Sequence, residues 1–395
     1  MKKYYPYLIT VSHMINDSCQ SVLPALLPLF IYTYGLSLEQ AGFLILSNTA
    51  LSSLLQPLLG YLSDKINQPR LIALGVLLSA CSTGVMGFVT SYESLLVCAT
   101  LAGVGSSIFH PEGAKIMNRL GGGKKGKAMG TFAIGGSSGF AIGPLFAGSI
   151  AYTVGPHGLA AFTVVGLIIS TILFSLMPRI VAHARTIDQA VATENPTLVD
   201  KPLKNYWKYF GILFVIILSQ SVNFRVINAF IPIFWTRELG TSPEQGSFAL
   251  TVFFSIGIFM TYIGGLLGDK YGPIKIIRLS LLIWLPAMFL LTEVPTFSPV
   301  IMMPVAYLLL LMIGAAKAIS YSPVIVLGQT YLAKSIGFAS GITLGVSQTI
   351  GGIIAPVVGN LADTYTLPAA MMTLVPFLVV GLGASLILKD PKKLQ

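Results

Sequence analysis

The sequence has few charged residues. Only 10% of its 395 residues are charged, against about 25% in soluble globular proteins. Mean hydropathy is +0.80, and apolar stretches of about 18 residues or more recur along nearly the whole chain. Because each stretch is long enough to cross a hydrocarbon core as a helix, the composition predicts an all-α membrane protein in a lipid bilayer and excludes a soluble one.

Cysteine is also scarce, and its three copies, Cys19, Cys81 and Cys98, all lie in apolar segments. We therefore expect the three cysteines to be packing residues and expect no disulfide framework. No nucleophile–base pair and no closely spaced metal-ligand motif are present. We therefore expect no enzymatic activity, no cofactor and no metal.

Hydropathy, read with glycine, proline and charge punctuation, predicts twelve transmembrane helices. Their approximate spans are 4–34, 40–62, 71–89, 94–118, 128–153, 158–178, 206–235, 245–267, 274–292, 299–330, 337–361 and 367–388.

The positive charges predict the orientation. With both termini in the cytoplasm, all but three of the 24 Lys and Arg lie on the inner side. Arg237 lies outside, and Arg225 and Lys317 fall within spans. This is the positive-inside pattern of a cell inner-membrane protein. The net charge of +10 therefore reflects the orientation in the membrane, and we expect no nucleic-acid partner.

The chain contains an internal repeat. "YGLSLEQAGF" at 34–43 recurs as "LGTSPEQGSF" at 239–248, and "GYLSDK" at 60–65 recurs as "GLLGDK" at 265–270. The only long polar stretch separates the two copies. We predict an N-terminal six-helix bundle at 1–178, a cytoplasmic linker at 179–205 and a C-terminal six-helix bundle at 206–395. Two parallel six-helix repeats are typical of the major facilitator plan, with a central site between them, and we expect a functional monomer.

Two motifs suggest gating. Gly60-x-x-x-Asp64 and its repeat Gly265-x-x-x-Asp269 resemble the inter-helix loop signature of the major facilitator superfamily, although Asn67 replaces a usual glycine. The alternative is an ordinary charged loop.

In the fifth span, Gly139, Gly143 and Pro144 resemble the signature of drug/proton antiporters, with Ala147 replacing a glycine. There the alternative is simple small-residue packing. We place Gly60, Asp64, Gly143, Pro144, Gly265 and Asp269 in the gating group.

A polar stripe follows the first span. His13, Asn16, Asp17, Gln20 and Ser21 share one helical face, which must line a cavity or a helix interface. At about 1.5 Å per residue, Asp17 lies roughly 20 Å into the span, near the midplane. We interpret it as a proton carrier. A permanently paired, structural Asp17 is the alternative.

The fourth span carries His110, Pro111 and Glu112. Histidine can exchange protons near physiological pH, and a partly buried glutamate can be tuned toward it. Pro111 interrupts the helical hydrogen-bond ladder and suggests a gating hinge. A fixed structural lock formed by His110 and Glu112 is the alternative.

"SHMINDSCQS" in the first span and "GVGSSIFHPEGAK" in the fourth resemble the fosmidomycin resistance family of major facilitator exporters. The resemblance implies proton-driven efflux of a small anionic, phosphonate-like compound. It also implies functional-site roles for the matching residues, which are Ser12, His13, Asn16, Asp17, His110, Pro111 and Glu112.

Two cations lie within C-terminal spans. Arg225 and Lys317 each cost at least about 2.5 kcal/mol at mid-bilayer, so they either bind an anionic substrate or pair with a buried carboxylate such as Asp17 or Glu112. We place both in the substrate-binding group, with Asn16, Gln20 and Asn223.

The predicted function is efflux of a small anion coupled to protons on Asp17, Glu112, His110 and His13. The alternatives are proton-coupled uptake of an anionic metabolite, or a lipid-handling or sensor membrane protein without proton coupling.

Overall fold

The structure is a computed structural model that describes residues 4–66, 68–122, 125–194, 204–334, 339, 342–343 and 347–390. These residues are almost entirely helical, with one isolated bridge between Asn205 and Leu332. The N-terminal part contains α1 (Tyr5–Ala25), α2 (Leu27–Tyr34), α3 (Leu38–Ile66), α4 (Leu71–Val85), α5 (Tyr92–Gly121), α6 (Lys125–Thr153) and α7 (Ala160–Glu194).

The C-terminal part is also helical. It contains α8 (Trp207–Arg237), α9 (Pro243–Tyr271), α10 (Pro273–Glu293), α11 (Pro299–Ile319), α12 (Tyr321–Tyr331), α13 (Ser347–Thr364), α14 (Leu367–Met372) and α15 (Val375–Ile387).

The helices confirm the all-α class and a multi-pass membrane protein. In the described part of the chain, eight helical segments are long and apolar enough to cross a membrane, and nine when α1 and α2 count as one bent span. The predicted second, third and eleventh spans correspond to α3, α4 and α13, which are helical but fall outside this group. A count of twelve transmembrane helices therefore stays a prediction.

The first predicted span is bent. α1 and α2 meet at Leu26 with an angle of 48° between them. Pro24 lies inside α1 and Pro28 lies in the first turn of α2. Each proline lacks the amide hydrogen that would continue the helical ladder, which explains the break.

Contacts divide the chain into two compact units. The N-terminal unit consists of residues 1–23 and 47–201, and the C-terminal unit consists of residues 24–46 and 202–395. The chain therefore crosses from one unit to the other within α1 and again within α3.

The core of the N-terminal unit joins α1, α4, α5, α6 and α7. Its buried residues include Ile9, Val76, Phe109, Phe132 and Leu173. α4 and α5 pack closely, because a Cβ added at Gly75 would lie 2.8 Å from the backbone of Gly105.

The last helix of this unit is longer than the sequence predicted. α7 continues past residue 178 to Glu194, through the first part of the predicted linker. Ile180 and Ala184 are buried in the core, and Arg119 Nε lies 2.7 Å from Asp188 Oδ2. These contacts explain why a polar stretch remains helical. Residues 195–203 lie outside the described part.

The internal repeat is visible in the helices. α3 and α9 are both 29 residues long and begin at equivalent positions of the repeated sequence. Each follows a glycine with positive φ, Gly35 (63°) or Gly240 (64°). In both copies of the repeated Ser-x-x-Gln, the serine side chain accepts a hydrogen bond from the glutamine backbone N–H, and the glutamine side chain accepts one from the serine backbone N–H. The same local sequence therefore specifies both helix starts.

The start of α3 is also tied to α13 within the C-terminal unit. Asp363 accepts hydrogen bonds from the backbone N–H groups of Leu38 and Glu39, both at 2.9 Å. Asn360 donates to Glu39 Oε2 at 2.9 Å. A carboxylate here satisfies amides that have no partner within the helix and lies at its positive end.

Candidate functional site

The polar stripe of α1 is buried within the N-terminal unit. Ser12, His13, Asn16, Asp17, Gln20 and Ser21 are each at most 9% exposed. His13 and Asp17 are four residues apart, so the helix places them one above the other on the same face. The prediction that this stripe faces protein instead of lipid is therefore confirmed.

α5 brings a second histidine to Asp17. His13 Nε2 lies 3.2 Å from Asp17 Oδ2, and His110 Nε2 lies 3.3 Å from Asp17 Oδ1. The two Nε2 atoms are themselves 3.3 Å apart. The structure thus brings together three of the predicted proton-coupling residues, which we call the His–Asp–His cluster.

Backbone carbonyls fix the orientation of both imidazoles. His13 Nδ1 lies 2.7 Å from the carbonyl oxygen of Phe132, and His110 Nδ1 lies 2.9 Å from that of Ser106. Because a carbonyl only accepts hydrogen bonds, each Nδ1 carries the hydrogen. In the neutral rings, both Nε2 atoms then present lone pairs to the carboxylate and to each other.

Further contacts hold the cluster in place. Phe132 stacks on the His13 ring at 3.9 Å between centroids. Asn16 Nδ2 donates to Asp17 Oδ1 at 3.0 Å. The carboxylate and the His13 side chain are only 5% and 8% exposed, whereas the His110 side chain is 27% exposed. The cluster is therefore accessible mainly from the side of His110.

The cluster lacks a positive charge when both rings are neutral. One carboxylate and two lone pairs then converge within about 3.3 Å of each other, and burial denies them water. A proton or another cation placed among them would remove this repulsion. The arrangement can therefore hold a small cation.

Glycines of α6 make room for α1. A Cβ added at Gly139 would lie 2.9 Å from Ser18 N, and one at Gly143 would lie 2.6 Å from Ser18 O. A Cβ at Gly136 would lie 2.7 Å from Asp17 Oδ2 and 2.8 Å from His13 Nε2. The motif residue Gly143 therefore serves close packing in the structure, next to Pro144 within a continuous α6. A gating role for this pair stays a prediction.

Glu112 lies apart from the cluster. It is 3% exposed on α5, which continues through Pro111. The carboxylate is not among the three ligand atoms that lie within 4.8 Å of one another. Its predicted role in proton coupling, and that of Pro111 in gating, stay predictions.

Two predicted substrate residues bond within their own units. Gln20 Nε2 donates to Ser79 Oγ and to the carbonyl of Ala102, both at 3.0 Å. Asn223 Nδ2 donates to the carbonyls of Ser219 and Leu374 at 3.0 and 3.2 Å. These hydrogen bonds satisfy the buried side-chain N–H groups of Gln20 and Asn223. Both side chains therefore contribute to helix packing.

The two cations predicted within the C-terminal spans lie together in the C-terminal unit, where both are partly buried. Arg225 Cζ is 5.6 Å from the ring centroid of Phe224, and Lys317 Nζ is 5.1 Å from the same ring and 5.3 Å from that of Tyr321. Among the described residues, neither cation forms an ion pair with a carboxylate, and Arg225 Nε is buried without a hydrogen-bond partner. Ring faces stabilise cations only modestly. This pair can therefore attract an anion.

A small cavity lies beside Lys317 in the same unit. Its lining comprises Ile217, Gln220, Ser221, Lys317, Tyr321, Val324, Ile325 and Thr343. Gln220 Nε2 is a second buried donor that has no partner in the described part of the chain. Donors beside a cation favour a ligand that accepts hydrogen bonds and carries negative charge.

The gating motifs are described only in part. The side chains from Gly60 to Ile66, including Asp64, and the whole of Asn67 lie outside the described residues. Asp269 is exposed near the end of α9. An added Cβ at Gly265 would make only ordinary contact with Ser322, whereas one at Gly264 would lie 2.7 Å from Ile319 C. The close helix approach thus lies one residue before the predicted glycine.

Comparison with known proteins identifies the family. A sequence profile of the Major Facilitator Superfamily matches residues 9–356 and 212–395. The chain belongs to this superfamily. This major facilitator protein is 31% identical over 393 residues to the MFS-type transporter YfnC of Bacillus subtilis, covering 98% of this chain and 94% of the relative.

Two further similarities complete the comparison. The chain is 29% identical to the fosmidomycin resistance protein of Escherichia coli, covering 90% of this chain and 85% of that protein. A bacterial homologue of the human lysosomal transporter Spinster, solved in an inward-facing, occupied conformation, superposes with a TM-score of 0.76 at 17% identity and covers 98% of this chain and 96% of that one. The sequence similarity supports a transporter that is not an enzyme, and the structural similarity shows the shared fold.

Several site residues carried no signal in the sequence. Ser106 and Phe132 hold the imidazoles through backbone carbonyls, which every residue has, and Phe132 also stacks on the His13 ring. Gly136 lies three residues before the recognised glycine motif, and only its contact with the cluster distinguishes it. Phe224 and Gln220 lie on the same helix as Arg225, one and five residues before it, and neither spacing is that of a shared helical face.

Proposed function

We propose that this protein exports a small anionic compound across the bacterial inner membrane in exchange for protons. The observation that carries the proposal is the His–Asp–His cluster, in which a buried carboxylate and two imidazole lone pairs need a positive charge. Protons meet this need and can be taken up and released during a transport cycle.

The C-terminal unit supports the choice of an anion. Arg225 and Lys317 share the Phe224 ring, and no described carboxylate neutralises them. A phosphonate or carboxylate would satisfy the free Arg225 donor and offset both charges. The similarity to the fosmidomycin resistance protein favours a phosphonate-like drug and the outward direction.

The mechanism follows the family plan. Twelve helices in two six-helix bundles, with both termini in the cytoplasm, would alternate access to the two charged sites as a monomer. Protonation of Asp17, with the imidazoles of His13 and His110 as relays, lowers the negative charge of the first site. Glu112 is a second proton carrier in this scheme, and Asp64 and Asp269 form cytoplasmic latches.

Proton-coupled uptake of an anionic metabolite would use the same charged groups, and a lipid-handling or sensor protein would need no proton. Drug susceptibility separates these functions from export. Expression in an efflux-deficient bacterium should raise resistance to at least one compound in a panel of phosphonates and carboxylates. Asp17→Asn at equal membrane abundance should remove the resistance, while the control His157→Gln keeps it. Greater susceptibility to a panel compound would favour uptake. No effect on any anion would contradict the proposal.

A further inference from the structure

The His–Asp–His cluster has the donor set of a metal site. Two imidazole nitrogens and one carboxylate converge, and one ligand atom from each residue lies within 4.8 Å of the others. His13 and Asp17 are four residues apart, but His110 is 97 positions from His13 in the sequence. The sequence therefore shows only two of the three ligands at close spacing. The packing of α5 on α1 brings His110 next to His13 and Asp17.

The distances match the coordination geometry of a first-row metal ion. Bonds of 2.0–2.1 Å at tetrahedral angles place neighbouring ligand atoms about 3.3–3.4 Å apart. The two Nε2 atoms are 3.3 Å apart; His13 Nε2 lies 3.2 Å from Asp17 Oδ2, and His110 Nε2 lies 3.3 Å from the other oxygen, Oδ1. A rotation of the carboxylate that turns one oxygen toward both nitrogens completes a set of three ligands.

The surrounding hydrogen bonds are those of a preorganised site. Metal-binding histidines almost always donate their second ring nitrogen to a carbonyl, a carboxylate or water. Here Phe132 and Ser106 supply these carbonyls, so both Nε2 lone pairs already point inward. Asn16 holds the carboxylate from the side.

We propose that His13, Asp17 and His110 bind one divalent first-row transition-metal ion of the Zn²⁺ type. Two nitrogens and a carboxylate suit Zn²⁺, Co²⁺ or Ni²⁺ better than Mg²⁺ or Ca²⁺, which prefer all-oxygen sites. The partly exposed side of His110 leaves a coordination position open to water or to an anion. The site does not depend on the proposed direction or substrate of transport.

Metal binding can be measured on purified protein without any gradient. The full chain carries a tag without histidine, is stripped with EDTA and is exchanged into chelator-free detergent buffer. Titration with Co²⁺ should give the intense visible absorption of a four- or five-coordinate ion, and calorimetry with Zn²⁺ should give one ion per chain. Asp17→Asn and His110→Gln should each weaken binding at least about tenfold, the lower end of the effect of removing a supporting contact.

Two further variants make the test specific. The double variant His157→Gln/His183→Gln removes the two histidines outside the cluster and should bind as the wild type does. Gly136→Ala keeps all ligands but places a methyl group 2.7–2.8 Å from Asp17 Oδ2 and His13 Nε2, so it should weaken binding and alter the Co²⁺ spectrum. Each variant is compared by size-exclusion profile and thermal midpoint.

Several results would overturn the proposal. They are no Co²⁺ absorption in the wild type, equal affinity in the ligand variants, or loss of binding in the His157/His183 variant. Mg²⁺ displacing Zn²⁺ at comparable concentration would contradict the assigned metal class. Transport experiments are scored separately, because an intact metal site in a protein without proton coupling would contradict only the proposed function.

Discussion

At the scale of single residues, the chemistry of the N-terminal unit depends on which nitrogen of each imidazole carries a hydrogen. Anchoring of both Nδ1 atoms to carbonyls leaves both Nε2 atoms facing Asp17. The same atoms can then hold a proton or a metal ion. The role of Asp17 as a proton carrier stays a prediction, and a permanently paired, structural Asp17 is the alternative.

The C-terminal cations yield a residue-scale prediction. Arg225→Gln should weaken binding of an anionic substrate by about 1.5–3 kcal/mol, because one charge-assisted hydrogen bond is lost. That loss corresponds to roughly ten- to a hundredfold in affinity. A neutral analogue should lose much less. Binding of the two ligands to purified protein by calorimetry measures the difference.

Arg237→Gln is the matched control, since Arg237 ends the same helix and is exposed. Its affinities should equal those of the wild type. Small, equal losses for both ligands in a well-folded Arg225→Gln protein would place Arg225 outside the substrate site. Poor folding of that variant, corrected by neutralising a buried carboxylate, would show a structural ion pair.

Sequence reasoning reached the cluster only in part. The spacing of His13 and Asp17 on one helical face was sufficient to pair them, because α1 is regular there. The approach of His110 depends on how α5 packs on α1, because the two histidines are 97 positions apart in the sequence. The spacing of residues within one helix does not predict a contact between two helices. From the sequence alone, Glu112 was therefore as good a candidate as His110 for the residue of α5 that lies beside Asp17.

At the scale of helices, the structure shows a local signal that the hydropathy-based spans did not use. The repeated Ser-x-x-Gln marks the beginnings of both α3 and α9, and the structure contains both capping boxes. The end of α7 was missed, because tertiary contacts of Ile180 and Ala184 outweigh a polar composition. Packing decides helix length where local propensity is weak.

The cap on α3 yields an element-scale prediction. Asp363→Asn replaces one of two carboxylate acceptors with an amide donor that faces backbone N–H groups of Leu38 and Glu39. The variant should lose about 0.5–2 kcal/mol of stability, the usual effect of removing a helix cap. Thermal unfolding in detergent should show a lower midpoint.

Glu293→Gln is the control for this cap, because removing its negative charge should not lower the thermal stability. Glu293 is the last residue of α10, where a negative charge faces the negative end of the helix dipole. Its neutralisation should leave the midpoint unchanged or raise it. An unchanged midpoint in Asp363→Asn would show that the two bonds contribute nothing to the stability of the C-terminal unit.

At the scale of the whole molecule, the two units carry charged sites of opposite character. The N-terminal unit holds a buried acceptor cluster that needs a cation, and the C-terminal unit holds two cations that can attract an anion. The duplicated sequence and the family match explain the shared architecture. They do not explain this division of charge.

Proton movement driven by a substrate gradient is the decisive measurement of whether the protein exchanges protons for an anion. Proteoliposomes containing a pH-sensitive dye are loaded with an anion identified by the resistance panel and diluted into anion-free buffer under a clamped membrane potential. The account predicts that the outward anion gradient drives protons inward and acidifies the lumen, that Asp17→Asn abolishes the signal, and that His157→Gln preserves it. Anion efflux without proton movement, or an undiminished signal in Asp17→Asn, would contradict the account.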